Sequence, residues 1–339
     1  MPLPLPLPLK RKKMALGAKG YFGIARETQF GVFKQPSLFL PIISESLSES
    51  IETVFSEALQ RTLVPIHLAQ GSRDVSGDVN LDLYPNIIGW FLTLALGEPT
   101  SSEVATGVYR HEFRMSLEDW EGGAPLPSIS AEIHKDLSEA FRFCGVLCTQ
   151  LGIGIGVGQK IGLVSLSLVG HQLDLQAPSV ASPTVTEEKP FLWDQFSFSL
   201  DGSPLETLSD FSFLISNSLE AIHVFGYQEA KRFFRSDISE IRISATVIVE
   251  DLSLFKSLRD GDSFDLIFRA TGEEIQPGFN RYLEVRVPIF RLTSHPINIS
   301  GPGYLTSSIE GVGLWSRDEG SAVIITLQND QKDYTIYSS

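Results

Sequence analysis

Gly77-Asp78-Val79-Asn80-Leu81-Asp82-Leu83 is the stretch that decides the fold, and a similar pattern returns 162 residues later as Ser239-Glu240-Ile241-Arg242-Ile243-Ser244-Ala245. Apolar residues alternate with polar ones in both copies, which is the period of a half-buried β-strand. An apolar helical stretch that ends at a glycine follows each copy, at Gly97 and at Gly261. A repeated strand–helix unit predicts a chain built from two related, mainly β domains.

Later strands of the two copies match in phase as well. Residues 109–116 resemble residues 264–271, and residues 129–133 resemble residues 283–287. A slip of one residue would turn every side chain to the opposite face, so a shared phase is informative. We therefore match these later strands to each other as repeated elements.

One helix is predicted in the same place of each copy. Pro85 and Gly97 fit the first turn and the end of the first helix, and Asp251 and Gly261 fit the corresponding ends of the second. The residues predicted to pack these helices on the core are Ile88, Phe91, Leu92, Leu252 and Phe255.

The clearest boundary along the chain is a segment with three prolines among small polar residues, at 176–190. The predicted organisation is a Pro-rich and basic arm at 1–16, a β-sandwich domain with one flanking α-helix at 17–175, the linker at 176–190, a second such domain at 191–330 and a tail at 331–339. The arm alternates proline with leucine, which no signal-peptide helix does, and we expect residues 1–13 to be dispensable. The Ser- and Glu-rich segment 36–71 is predicted to contain a large exposed loop.

The charge of the chain argues against a surface that grips nucleic acid. There are 27 basic and 41 acidic residues, a net charge of −14, and four of the bases stand together at residues 10–13. Affinity for phosphates comes from clustered Lys and Arg, whereas an acidic surface lets nucleic acid pass. An acidic surface with no further meaning is the plain alternative. No segment of the sequence predicts a membrane-spanning helix.

No pattern of catalytic or metal-ligating residues is found. The six histidines are scattered singly, and the two cysteines, Cys144 and Cys148, are interpreted as buried small hydrophobes. The glycines of 152–158 continue into an alternating strand rather than a helix, which excludes a dinucleotide loop. We expect no enzyme activity, no cofactor and no metal.

The order of these features resembles a known family. The segment 20–31, the strand that ends at Tyr84-Pro85, the helix that closes at Gly97 and the segment 127–132 resemble the tail tube proteins of long-tailed, siphovirus-like bacteriophages. The resemblance covers most of 17–175 and, more weakly, 195–330.

This resemblance implies tandem β-sandwich tail-tube domains that assemble into a ring-shaped β-barrel. Rings stack into the tail tube of the virion, through which the genome passes without specific binding of DNA and without a membrane. A chain with two such domains is expected to form trimers with pseudo-six-fold symmetry. The implied partners are further copies of the chain and other tail proteins: the tape measure, the tail terminator and the distal tail protein.

The resemblance also suggests which side chains face the lumen of the tube, where negative charge would repel DNA phosphates. The predicted lumen-facing residues are Asp78, Asn80, Asp82, Glu132, Glu240 and Glu284. The segment 36–71, the Pro-rich arm and the tail at 331–339 are candidates for contacts between stacked rings.

The alternative is a two-domain β-sandwich adhesion module for a surface glycan or receptor. Such a module would cluster exposed aromatic residues at one end of a sandwich. The four tryptophans lie far apart in the sequence: Trp90, Trp120, Trp193 and Trp315.

Overall fold

Antiparallel β-strands dominate the fold, as the period-two pattern predicts. The computed structural model describes residues 14–58, 61–117, 124–299 and 301–334. Strands make up 54% of it, and these described residues form two α-helices. The prediction of a mainly β chain is therefore confirmed.

The first half of the chain contributes eleven strands and one helix. They are β1 (Tyr21–Arg26), β2 (Leu38–Leu40), β3 (Ile42–Glu45), β4 (Ser48–Phe55), β5 (Leu68–Asp82), α1 (Ile88–Leu96), β6 (Thr100–Ala105), β7 (Val108–Arg114), β8 (Ile129–His134), β9 (Ala140–Gly156), β10 (Leu163–Gly170) and β11 (Gln172–Gln176).

The second half contributes ten strands and one helix. They are β12 (Phe196–Leu200), β13 (Ser203–Pro204), β14 (Leu208–Ser216), β15 (Leu219–Ile222), β16 (Arg232–Arg235), β17 (Glu240–Ile248), α2 (Ser253–Asp260), β18 (Phe264–Gln276), β19 (Phe279–Ser294), β20 (Thr306–Gly313) and β21 (Ile324–Asn329).

The two halves share one pattern of strand pairing. In the first half the order is β1–β8–β9–β10–β5, with β3 and β4 on the outer side of β5 and with β11 on β9. In the second half the order is β12–β18–β19–β20–β17, with β14 on the outer side of β17 and with β21 on β19. Strand β5 therefore corresponds to β17, β9 to β19, β10 to β20, and the β3–β4 pair to β14.

This correspondence corrects the later strand matches made from the sequence. Residues 129–133 lie in β8, whose counterpart is β18, whereas residues 283–287 lie in β19. Residues 109–114 lie in β7, which pairs with β6 and β21 and thus occupies a different place from β18. The matches fail because every half-buried strand alternates in the same way. In addition, the hairpin of β6 and β7 follows the helix of the first half, so strands counted from the helix do not correspond between the halves.

The halves are joined by hydrogen-bonded strands as well as by the linker. Strand β9 pairs with β14 through Phe213 opposite Ile153, and β21 pairs with β7 through Ile325 opposite Phe113. All four side chains belong to one buried cluster that runs through both halves. The division into domains at 17–175 and 191–330 stays a prediction, and the structure gives these segments a shared core.

Segment 36–71 contains the predicted exposed loop, since residues 56–58 and 61–67 are exposed and lie outside strands, but the rest of the segment is largely strand. It contains β2, β3 and β4 and enters β5, and β4 and β5 form a long antiparallel hairpin. Strand β4 carries serine, glutamate and threonine together with three apolar residues, without regular alternation, and all but one of its residues are exposed. Composition therefore predicted the loop but not the strands on either side of it.

The two helices differ in how they pack. Ile88, Phe91 and Leu92 of α1 are at most 1% exposed. In contrast, the prediction that Leu252 packs on the core is wrong: Leu252 is 53% exposed and precedes α2. Asp251 accepts a hydrogen bond from the backbone N–H of Ser253 (2.7 Å). The helix α2 therefore begins at Ser253, one residue after the predicted start at Leu252.

The apolar stripe of α2 is consequently displaced from the predicted one. Leu254 and Leu258, spaced by one turn, pack against the core. Phe255 is half-buried and its ring contacts His295 at 6.3 Å between centroids.

Both ends of the chain lie partly outside the described residues, including residues 1–13 and 335–339. The last described residue, Tyr334, is fully buried. Its hydroxyl donates to the Asn86 carbonyl oxygen (2.6 Å) and accepts from Asn329 Nδ2 (2.7 Å). These contacts hold the tail to α1 as far as Tyr334.

Candidate functional site

The candidate site is one face of a continuous sheet that crosses both halves in the order β5–β10–β9–β14–β17–β20–β19. The side chains on one face form buried rows such as Leu81, Val164, Ile153, Phe213 and Ile243. The residues between them point to the opposite side, because successive side chains of a strand alternate. We call this opposite side the polar face.

The polar face carries more carboxylates than cations. Its central row runs from Asn80 through Ser165, Gly152 and Leu214 to Arg242. The charged residues in this row and the neighbouring rows are Asp78, Asp82, Asp210, Glu240, Glu310, Arg242 and Arg291. Five acids against two arginines give the face a net negative charge, which repels phosphate.

Short polar contacts order the charged side chains of this face. Ser167 Oγ donates to Asp78 Oδ1 (2.8 Å), and Asn80 Nδ2 donates to Ser44 Oγ (3.1 Å). The guanidinium of Arg242 donates to Glu240 at 2.9 Å, and this hydrogen bond raises the pKa of Arg242. Arg242 is thus paired with a carboxylate on its own strand, which weakens it as an anchor for a phosphate.

Glycines of β9 make the middle of the polar face smooth. Gly152, Gly154 and Gly156 take the positions between the buried residues of β9. A Cβ at Gly152 would overlap Ser165 Oγ, and one at Gly156 would overlap Asp210 Oδ1. The glycines therefore allow the polar side chains of neighbouring strands to lie across β9.

The structure brings together four of the six predicted lumen-facing residues. Asp78, Asn80 and Asp82 lie on β5 and Glu240 lies on β17, all on the polar face. Whether this face lines a lumen stays a prediction.

Glu132 does not belong to this face, and its prediction as lumen-facing is wrong. Its carboxylate is fully buried and accepts hydrogen bonds from Tyr21 Oη, from Arg142 Nε (2.8 Å) and from Ser179. Burial opposes its ionisation, but the hydrogen bonds from Ser179, Tyr21 and Arg142 outweigh burial and hold the pKa of Glu132 below its usual value. Its role is to fasten the start of the linker to the first half.

Glu284 is also separated from the polar face. It lies in the half of β19 that pairs with β21, opposite Thr326, and it forms an ion pair with Arg269 (3.3 Å). Only residues 290–294 of β19 pair with β20 and so join the sheet of the polar face. One strand thus contributes to two sheet regions, which alternation cannot reveal.

The sequence reasoning missed several members of the polar face: Asp210, Glu310, Arg291 and the three glycines of β9. The alternation in β14 and β20 was a usable signal, since Asp210, Ser212, Ser308 and Glu310 alternate with buried residues and are exposed. The glycines gave no such signal, because their face depends on register with β10 and β14.

The described residues contain no group of three or more His, Cys, Asp or Glu side chains placed to hold a metal ion. Cys144 and Cys148 are both buried, and burial raises the pKa of each thiol to about 12. Within the part of the chain that the structure describes, no helix is long and apolar enough to cross a membrane.

Comparison with known families decides the identity of the chain. A family model for phage tail tube proteins matches residues 17–313. The chain belongs to the phage tail tube protein family. No curated protein matches the sequence.

The family membership confirms the predicted resemblance and places this tail tube protein in the virion tail. The family is a structural one rather than a family of enzymes. It favours the tail tube over the adhesion module as the role of the chain.

Proposed function

We propose that the protein polymerises as stacked rings into the phage tail tube and that the polar face lines the conduit for the genome. The observation that carries the proposal is a continuous sheet with one buried face and one acidic face. DNA phosphates are repelled by such a face, and its two arginines are too few to hold a strand of DNA in place.

Ring closure follows from the edges of this sheet. Strands β3 and β4 pair with β5 on one side only among the described strands. An unpaired edge exposes backbone donors and acceptors, and closing the sheet through neighbouring copies removes that edge. Head-to-tail contacts of this kind form a ring when the rotation between copies closes.

We infer a trimeric ring with pseudo-six-fold symmetry. The two halves share one pattern of strand pairing, which supports a duplicated unit, and each half would supply one of six barrel segments. The contact of β9 with β14 is then a contact between neighbouring segments that the linker joins covalently.

Stacking of rings would use the hairpin of β4 and β5. Its end exposes several apolar side chains: Val54, Phe55, Leu63, Val64, Ile66 and Leu68. An exposed apolar cluster of this kind marks an interaction surface. Contacts at the tube ends would involve the tape measure, the tail terminator and the distal tail protein.

Electron microscopy of the purified protein tests the assembly. Rings with three-fold symmetry, or hollow tubes with a regular axial repeat, are the expected result. Particles that stay monomeric at every protein concentration and salt concentration would overturn the proposal.

Charge reversal tests the conduit. We expect phage carrying Asp78→Lys, Asp82→Lys and Glu240→Lys to assemble tails but to eject DNA more slowly, because the lysines attract the passing phosphates. A control with Glu103→Lys and Glu220→Lys changes charge away from the polar face. Unchanged ejection from assembled triple-variant particles would refute the lumen assignment.

A further inference from the structure

At the seam between the halves, both edges of β9 are paired with other strands of the chain. The corresponding segment of the second half is not paired in this way. Strand β9 pairs with β10 on one side and with β14 on the other, over residues 150–156 and 210–216. Two further backbone bonds bracket this seam, from Val157 N to the Ser209 oxygen and from Asn217 N to the Thr149 oxygen (2.9 and 2.8 Å). The edge of β9 is thus covered within the chain.

A bulge that β9 and β19 share identifies the segment of the second half that corresponds to this edge of β9. Pairing with β10 skips Thr149, and pairing of β19 with β20 skips Thr293. Thr149 therefore corresponds to Thr293, and residues 151–155 correspond to residues 295–299. The buried residues Leu151, Ile153 and Ile155 then match His295, Ile297 and Ile299.

Residues 295–299 lack the strand structure of their counterpart. Strand β19 ends at Ser294, and no backbone–backbone hydrogen bond involves residues 295–299 within the described parts of the chain. Ile299 is 85% exposed, although its counterpart Ile155 is 8% exposed. The difference follows from the missing neighbour, since β14 pairs with the first edge and no strand among the described residues pairs with the second.

Pro296 is compatible with a strand at this position. Its carbonyl oxygen accepts from Ser307 Oγ (2.7 Å), so its backbone points toward β20. The N–H and C=O of one residue point to the same side of a strand, so the missing N–H of Pro296 does not affect the outer edge. The outer edge uses the backbone of His295, Ile297 and Ile299.

The complementary edge is that of β3 and β4. Their counterpart β14 pairs with both β17 and β9, whereas β3 and β4 pair only with β5 among the described strands. Ser46 N donates to the Asp78 oxygen (2.9 Å), so Ser46 faces β5 and the backbone groups of Glu45, Leu47 and Glu49 face outward.

We propose that residues 295–299 become a strand by pairing, antiparallel, with β3 and β4 of a second copy of this chain. This inference rests on the proposed assembly into rings, and it identifies the strands that pair between neighbouring copies. Transferring the register of β9 and β14 places Ile297 opposite Leu47, Asn298 opposite Ser46 and His295 opposite Glu49 of the next copy.

His295 supports this register independently. It is 5% exposed, and neither ring nitrogen has a hydrogen-bond partner among the described residues. A buried polar group without a partner is unfavourable, and such groups in native proteins need an explanation. The carboxylate of Glu49 in the next copy supplies the missing acceptor.

A disulfide between copies tests the register. Asn298 and Ser46 form a pair without backbone hydrogen bonds in the transferred register, and the Cα atoms of such a pair lie about 4.5 Å apart, within disulfide range. Both residues are exposed in the single chain. The double variant Asn298→Cys, Ser46→Cys should form covalent dimers and trimers on a non-reducing gel after mild oxidation of the assembled protein.

Two matched variants control this experiment. The equivalent pair inside the chain, Gly154→Cys with Ser212→Cys, should form a disulfide within one copy. The pair Asn298→Cys with Ser50→Cys shifts the register by four residues, roughly 13 Å along the strand, and should not cross-link.

The outcomes separate this inference from the proposed function. Rings that form without the Asn298–Ser46 cross-link, or that cross-link through Ser50 instead, would overturn the inference and leave the tube function standing. A wild-type protein that forms no oligomer would overturn both.

Charge reversal at Glu49 tests the contact with His295. Glu49→Lys should raise the protein concentration needed for assembly by roughly tenfold or more, because a hydrogen bond to a charged group is lost. Glu220→Lys makes the same charge change on the separate β15–β16 hairpin and should leave assembly unaltered. Equal effects of the two variants would count against the contact.

Discussion

Glu188 should make the free energy of unfolding fall as the pH rises, which is the opposite of the usual effect of a carboxylate in a folded protein. Its carboxylate accepts hydrogen bonds from the backbone N–H of Asn86 (3.0 and 3.1 Å), just before α1. Burial nevertheless dominates and raises the pKa of Glu188 to about 7; Asp330 raises it further, while Asn86 and Arg281 lower it. The substitution Glu188→Gln keeps an acceptor for Asn86 and removes the charge.

The size of the effect follows from linkage between protonation and folding. The pKa rises from 4.5 in the unfolded chain to about 7 in the folded one, and each pKa unit corresponds to about 1.36 kcal/mol. The upper limit is therefore about 3 kcal/mol, and screening by nearby solvent reduces it to about 2 kcal/mol. Because the folded pKa is raised, this stability is present below about pH 4.5 and is lost as the pH rises through about 7.

Urea unfolding at pH 5 and pH 8 measures this dependence. Between these values the wild type should lose about 2 kcal/mol of unfolding free energy relative to Glu188→Gln. Glu187→Gln, at the exposed neighbouring residue, should follow the wild type at both pH values. A wild type that changes in parallel with Glu188→Gln would refute the reasoning.

Three further predictions concern the seam, the bend of β9 and the thiols. Phe213→Ala should lower the unfolding free energy by about 3–5 kcal/mol in urea titrations because Phe213 is fully buried at the seam, whereas Phe225→Ala, at a fully exposed ring, should change it by less than about 0.5 kcal/mol. Gly145→Ala should destabilise by more than about 1 kcal/mol, because φ is +62° there, while Gly154→Ala, which has space for a Cβ, should be close to neutral in the same assay. Cys148 should react with a thiol reagent only after unfolding, since burial raises the pKa of its thiol to about 12; rapid labelling of the native protein would contradict this.

Much of the local structure could be predicted from residue patterns. Alternation in residues 77–83 and 239–245 predicted two strands, and both lie in strands of the same sheet except for their end residues. Glycines predicted the helix ends, and Gly261 has the left-handed φ of +72° that favours glycine. These predictions succeed because they depend on neighbours along the chain.

Predictions that depended on distant neighbours were less successful. Glu132 alternates with buried residues as Asp82 does, yet β8 places its carboxylate between Tyr21 and Arg142. Glu284 alternates in the same way but lies where β19 pairs with β21. Alternation tells which residues share a face of one strand, but it does not tell what covers that face.

The sequence by itself determined the class of the fold, the acidic balance and the family, because period, composition and local motifs are properties of neighbouring residues. Only the tertiary structure decided that β9 and β14 join the halves, which acids share the polar face, and that residues 295–299 have no partner strand among the described residues. Register between strands far apart in the chain is set by packing and hydrogen bonding over the whole core, and no local pattern carries that information.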